Sequence, residues 1–326
     1  MLALRVTQCS PQIRAAVSSA SVSTAAMATT APACHRRLRH YAQHLTAARR
    51  SAAGSRVAPP VQDGLPVTLS LPGSGLDDSA AGTTAWGHLE IPNPTIMSSS
   101  LVPICVMHGC KPGRTALLLA GNHGNEYEGQ VALRRLVSTV QPTELHGRLI
   151  VIPTISMAAS ASWSREWPDG TNFNRVMPGD PRGIPAEQLA HFLSAVLIPR
   201  ADIVYDLHTG GHNMRIQPST MCFALADAAP AQHREEVEAQ LAMMAPLMML
   251  RRQPPMARAN GGMVWYESKL QGKITVGTEW GGGGMCHPSD YESLYQGVLN
   301  SLRYLRVLQD GHAVGKILAY WYHACS

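Results

Sequence analysis

The chain has 326 residues, 45 % of them hydrophobic and 15 % charged, with a formal net charge of +5. That is enough apolar material for one large α/β domain, and no apolar run approaches the roughly 18 residues that a membrane span needs. The basic excess is local: Met1 to Gln62 holds eight of the 27 Lys and Arg residues and no Asp or Glu, leaving 19 basic against 22 acidic residues beyond it. The charge belongs to a tail and not to a face, so neither a nucleic-acid nor a membrane partner is expected.

That tail, rich in Ala, Ser and Arg, includes Cys34-His35-Arg36-Arg37-Leu38-Arg39-His40 and has the composition of a mitochondrial or plastid transit peptide. The competing reading is upstream sequence translated in error. On either, residues 1–62 form a disordered basic tail and residues 63–326 the folded domain. The location follows the tail: organellar if it is a transit peptide, cytoplasmic otherwise. Seven cysteines are scattered without a Cys-x-x-Cys pair, which indicates neither a disulfide framework nor a cysteine zinc site.

Beyond the linker at Ala58-Pro59-Pro60, an edge strand is expected around Gly87 to Ile91, and Met97 to Cys110 fits no periodic pattern and reads as an insertion or a sequence error. Alternation then becomes clear. A strand over Thr115 to Ala120 precedes a helix from Glu126 to Val137; a strand over Arg148 to Ile152 precedes an irregular stretch, Ser156 to Gly183. A helix from Ala186 to Leu197 places Leu189, Leu193, Val196 and Leu197 on one face. Next come a strand from Ala201 to Asp206 and a long helix from Gln232 to Leu250 whose methionines, Met243, Met244, Met248 and Met249, fill core. A strand from Lys273 to Thr278 and a helix from Tyr291 to Leu308 close the pattern. Strands alternating with helices imply a layered α/β domain with a largely parallel sheet, and such sheets bind ligands beyond the carboxyl ends of their strands.

That rule gathers the chemistry. His123 and Glu126 follow one strand within Gly121-Asn122-His123-Gly124-Asn125-Glu126-Tyr127-Glu128-Gly129, His208 ends a second strand, and Glu279 ends a third. His123, Glu126 and His208 make a His₂Glu set that leaves zinc an open position for water. Asp206 lies on the same side of its strand as His208; it can support the ligand imidazole, contact substrate, or be a plain strand-end carboxylate. Glu279, before Trp280 and four glycines, is the candidate general base, the alternative being a buried charge paired with an arginine. Arg165 and Arg175, in the turn-rich segment Ser164 to Arg175, can fork a substrate carboxylate and polarise a carbonyl.

Together these motifs resemble the succinylglutamate desuccinylase/aspartoacylase family of zinc deacylases, within the zinc carboxypeptidase clan. The matching pieces are Gly121 to Gly129, Asn172-Phe173-Asn174-Arg175 with Met177-Pro178-Gly179, Asp206-Leu207-His208-Thr209-Gly210-Gly211, and Thr278-Glu279-Trp280-Gly281-Gly282-Gly283-Gly284. Within the family, Tyr127-Glu128-Gly129 and the glutamate-led glycine run look most like the N-acetyl-diaminobutyrate deacetylases. The resemblance implies a three-layer α/β/α carboxypeptidase-like fold and one Zn²⁺ per chain on His123, Glu126 and His208. It also implies Glu279 as general base, Arg165 near the carbonyl oxygen, and Asn174 with Arg175 on the substrate carboxylate.

The implied activity is hydrolysis of an N-acyl group from a small amino acid, with that molecule as the partner and a homo-oligomer left open. The alternatives are a zinc carboxypeptidase acting on peptides and a truncated, non-catalytic ligand-binding descendant. Three positions depart from the family pattern. Asn125 stands where Asp is usual, Met177 where Phe is usual, and the chain stops at Ser326, where relatives continue into a C-terminal β-rich domain, so that domain is expected to be missing.

Overall fold

The computed structural model describes residues 65, 67–71, 76–77, 80–224, 230–243, 245, 247–252 and 262–309. The basic tail, its boundary with the domain and the residues before Ser326 lie outside that set. In chain order the strands are β1 (Thr68–Ser70), β2 (Thr83–Asn93), β3 (Ser98–His108), β4 (Lys111–Ala120), β5 (His146–Ile152), β6 (Ile203–His208), β7 (Arg215–Ala224), β8 (Leu247–Arg252) and β9 (Ile274–Gly282). The helices are α1 (Glu128–Thr139), α2 (Met157–Ala161), α3 (Pro185–Phe192), α4 (Pro230–Leu241), α5 (Val264–Leu270) and α6 (Pro288–Tyr304). Among the described residues, no helix is long and apolar enough to cross a membrane.

The strands form one mixed sheet in the order β1-β2-β3-β5-β4-β6-β9-β7-β8. Its centre, β5-β4-β6-β9, is parallel, and β7 with β8 adds a parallel pair that joins β9 antiparallel. The flank β1-β2-β3 is antiparallel and attaches to β5.

Strand β4 shows why three layers form. Its run Ala116-Leu117-Leu118-Leu119-Ala120 is buried throughout, because alternate side chains enter different cores. Ala116, Leu118 and Ala120 meet Leu133 and Leu136 of α1 and Leu294 and Val298 of α6. Leu117 and Leu119 face the other way, toward Leu189 of α3 and Val264 of α5. Each fully buried leucine contributes on the order of 1.5–3 kcal/mol, so polar substitution on either face is costly. The expected face of the third helix is also present: Leu189, Leu193, Val196 and Leu197 all enter the second core, the helix continuing beyond Phe192 through a π turn at Leu193–Leu197.

Several boundaries differ from the sequence reading. The stretch Met97 to Cys110 is no insertion: it contains β3, which pairs along its whole length with β2. Gly87 to Ile91 lies inside β2, which has β1 on its outer side and is not the edge. The expected helix from Gln232 to Leu250 is α4 followed by β8, separated by a turn. Met243 is core filling, as expected; Met244 and the side chains of Met248 and Met249 lie outside the described set. Neither β7 nor α5 was anticipated. The helix after the first motif begins at Glu128, which leaves Glu126 in the preceding turn and not in the first helical turn.

Candidate active site

Register sets the site. Parallel pairing places His208 of β6 directly beside Glu279 of β9, and Ala120 at the end of β4 beside Leu207. Residues paired in register share a face, so Glu279, His208 and, two positions back, Asp206 point to the same side of the sheet. Just beyond β4 the chain delivers His123 and Glu126; these two, His208 and Asp206 are buried, and Glu279 is partly open.

Glu126 is the centre. Its Oε1 lies 2.7 Å from Nδ1 of His123 and its Oε2 lies 2.9 Å from Nδ1 of His208. Oε2 also accepts the Thr209 N–H at 3.0 Å, and Oε1 accepts from the Arg165 guanidinium at 2.9 Å.

The outer nitrogen of His123 decides its tautomer. Asn172 Oδ1 accepts the Asn174 backbone N–H at 3.0 Å, which identifies it as the oxygen of the amide; it also lies 3.2 Å from Nε2 of His123. Nε2 of His123 must therefore carry the proton, and a neutral ring turns the lone pair of Nδ1 toward Glu126. Nε2 of His208 lies 3.2 Å from Asp206 Oδ1 with no hydrogen bond between them, so Asp206 acts on this ring through its charge. An imidazole lone pair facing a carboxylate is unfavourable unless a cation or a proton lies between them. This His-Glu-His group, with its donor atoms within 4.8 Å of one another, could hold a metal ion.

The protonation pattern agrees. Burial pushes the His123 pKa down, toward the neutral ring. Burial acts likewise on His208, but the carboxylates of Asp206 and Glu126 outweigh it and hold its pKa well above the ordinary histidine value, so His208 supplies the balancing proton. For Glu126 burial works against ionisation, and the two histidines overcome it, keeping the carboxyl well below the usual range. Burial pushes Glu279 up to about 7, with Glu126 and Asp206 adding to the rise and His208 and Arg165 opposing it. That is the range a general base working near neutrality needs.

The arginine segment reaches the site through close backbone contact. The Gly124 N–H points at the Arg165 carbonyl at 3.4 Å, and a Cβ on Gly124 would sit 2.2 Å from Ala159 C and Ser160 N. Only glycine lets this loop settle and bring Arg165 against Glu126. Asn174, buried, accepts from Asn122 Nδ2 at 3.3 Å, and Arg175, exposed, donates to the Asn174 carbonyl at 2.7 Å.

A family model described as the succinylglutamate desuccinylase/aspartoacylase catalytic domain matches residues 112–305, and so takes in every candidate site residue. The chain belongs to that family. The N-alpha-acetyl-L-2,4-diaminobutyric acid deacetylase of Halomonas elongata is 35 % identical over 236 residues, which are 71 % of this chain and 67 % of that protein. Among solved structures, a succinylglutamate desuccinylase/aspartoacylase from Rhodobacter sphaeroides is 34 % identical with a TM-score of 0.63, over 72 % of this chain and 69 % of that one. The product-bound ectoine utilization protein of Ruegeria pomeroyi is 30 % identical with a TM-score of 0.69, over 78 % and 75 % respectively. The mixed sheet with helices on both faces is the fold these neighbours share.

Asn125, where the family usually has Asp, is buried against Gly211: a Cβ built on that glycine would lie 3.1 Å from Asn125 Oδ1. Sequence reasoning missed Asn172 and Thr209, although both stand inside quoted motifs. Their work is done by an amide oxygen and a backbone N–H, which residue type does not advertise.

A second set of potential donors, Cys222, His233 and Glu236, lies elsewhere in the domain. It is already satisfied. Lys269 Nζ sits 2.5 Å from Glu236 Oε2, and Thr275 donates its N–H and hydroxyl to Oε1 at 2.8 and 3.0 Å. Burial also pushes the Cys222 thiol up to about 12, far from the thiolate that a metal takes.

Proposed function

We propose that this chain is a zinc-dependent deacylase that hydrolyses the N-acyl group of a small amino acid, of the N-acetyl-diaminobutyrate kind. The observation that carries the reading is the convergence of Nδ1 of His123 and Nδ1 of His208 on the two oxygens of the Glu126 carboxylate, with Asn172 holding the His123 tautomer. Two imidazoles and one carboxylate are a donor set suited to zinc with a position left open. A dication held there by His123, Glu126 and His208 would acidify water and polarise the acyl carbonyl.

The chain's own residues supply the rest. Glu279 takes the proton of the attacking water and returns it to the amine nitrogen as the C–N bond breaks, leaving a carboxylic acid and an amine. Arg165 is half-exposed, so its guanidinium has donors to spare for the acyl oxygen as charge develops on it. Asn174 and Arg175 hold the substrate carboxylate. The donor set also suits a peptidase, and the name of the Halomonas relative favours the small substrate.

The test is metal analysis of the purified chain together with hydrolysis of N-acetyl-diaminobutyrate and of blocked dipeptides, wild type against Glu279→Gln. One zinc per chain, turnover of the acetylated amino acid, and a rate loss of about 10²- to 10⁴-fold in the variant are expected. Lack of bound metal, equal rates for the two proteins, or turnover of peptides alone would each refute the reading.

A further inference from the structure

We infer that Glu128 is a positioning residue for this site: one buried carboxylate ties the segment that bears Glu126 to the segment that bears Glu279. Its side chain is fully shielded from solvent. Oε1 accepts the Gly282 N–H at 2.7 Å, three residues beyond Glu279, while Oε2 is buried with no hydrogen-bond partner. Thr209, one residue beyond His208, donates its backbone N–H to Glu126 Oε2 at 3.0 Å and accepts the Gly211 N–H on its hydroxyl at 3.3 Å. Glu126 lies two residues before Glu128 and His208 pairs with Glu279, so these contacts close a ring through all three strand ends.

A carboxylate at the start of a helix is favourable in itself, because it faces the positive end of the helix dipole. That explains an acid at this position but not its direction. A side chain serving only the dipole would remain in water, since burying a carboxylate is expensive unless hydrogen bonds replace its hydration. Here it turns inward, and the Gly282 N–H meets one of its oxygens.

Gly281 makes the approach possible. At φ +83°, a Cβ on it would lie 2.7 Å from Glu128 Oε1 and 2.9 Å from Asp290 Oδ2. The glycine run after Glu279 is thus seated on the carboxylate, and Glu128 fixes where β9 ends relative to His208.

The experiment compares Glu128→Ala, Glu128→Gln and Gly281→Ala in the full chain by steady-state kinetics, metal content and amide hydrogen exchange at Gly282. Its kinetic arm rests on the deacylase reading; the exchange arm does not. Glu128→Ala is expected to lower kcat by about 10- to 100-fold, the scale found when groups behind a metal site are removed, with KM little changed and metal still bound. Gly282 exchange accelerates in the same variant. Glu128→Gln, which keeps an acceptor oxygen for Gly282, recovers most of the rate and the protection, whereas Gly281→Ala reproduces the loss with Glu128 present.

Unchanged Gly282 exchange in Glu128→Ala would overturn the inference, as would a glutamine variant no better than alanine in both readouts. Should Glu128→Ala fail to fold, Glu128→Gln and Gly281→Ala decide: wild-type kcat and Gly282 protection in Gly281→Ala overturn it. A wild-type chain that turns over no N-acyl amino acid refutes the deacylase reading alone, and the exchange result still rules on Glu128.

Discussion

Asn172 sits behind His123 as its proton acceptor, with Oδ1 3.2 Å from Nε2 and fixed in place by the Asn174 backbone N–H at 3.0 Å. This orients the imaidazole ring without contacting the donor atoms themselves. Replacing Asn172 with alanine frees the ring to adopt the other tautomer, so zinc affinity should fall about 10- to 100-fold. Competition with a chromophoric chelator measures it. An affinity unchanged in Asn172→Ala would mean that the tautomer is set in some other way.

The acidic limb of the rate profile should belong to Glu279. Burial pushes its carboxyl up to about 7 in the chain without metal, and the base works only when ionised, so kcat should fall as pH drops through its pKa. A dication beside it favours the ionised form, which places the limb at or below about 7 in the loaded protein. Rates across pH 5–9 in wild type and Glu279→Asp, where the limb should persist at reduced kcat, check the assignment. A limb that survives in Glu279→Gln would give it to another group.

Gly124→Ala should damage both stability and turnover. The new methyl would be 2.2 Å from Ala159 C and Ser160 N and 2.6 Å from the Ser164 carbonyl, all backbone atoms that cannot step aside. Overpacking of this kind costs about 1–3 kcal/mol, and the loop that must yield carries Arg165. Thermal melts and kcat with an N-acyl amino acid are the measurements; a wild-type value in both would show that the loop relaxes freely.

Lys269 and Glu236 offer a test of the scaffold alone. Both side chains are almost wholly buried and 2.5 Å apart. Lys269→Met leaves a carboxylate without its cation and should cost about 3–5 kcal/mol. Adding Glu236→Gln to that variant removes the stranded charge and should recover a large part of the loss, as read by denaturant unfolding. Two single-variant costs that simply add would show that the residues do not act as a pair.

The site was more legible in the sequence than the sheet around it. His123, Glu126, His208 and Glu279 stand at strand ends, and parallel strands bring their carboxyl ends to one edge, so topology alone gathers them. The tautomer lock was not legible, because Asn172 acts through an oxygen whose partner is 49 residues away in sequence. Strand β7 escaped notice because Pro218 interrupts it and its register with β9 shifts between Ile216 and Ser219. The stretch after α4 is rich in Met and Leu, good helix formers, and yet Leu247–Arg252 pairs with β7. Pairing with a neighbouring strand outweighed local propensity there. Strand β3 misled for a related reason: Val102, Ile104, Cys105, Val106 and Met107 are all buried, so the polar–apolar alternation of a half-exposed strand is missing.

The position of β9 has a consequence for biosynthesis. It is inserted between β6 and β7, both of which leave the ribosome earlier. Until Ile274–Gly282 emerges, β6 has an open edge and β7 can pair only with β8. Unpaired edges of this kind invite association between nascent chains. His123, Glu126 and His208 are by then already synthesised, yet the strand that carries Glu279 is also the one that closes the sheet. Closure of the sheet edge and completion of the candidate site thus arrive in a single late event of translation.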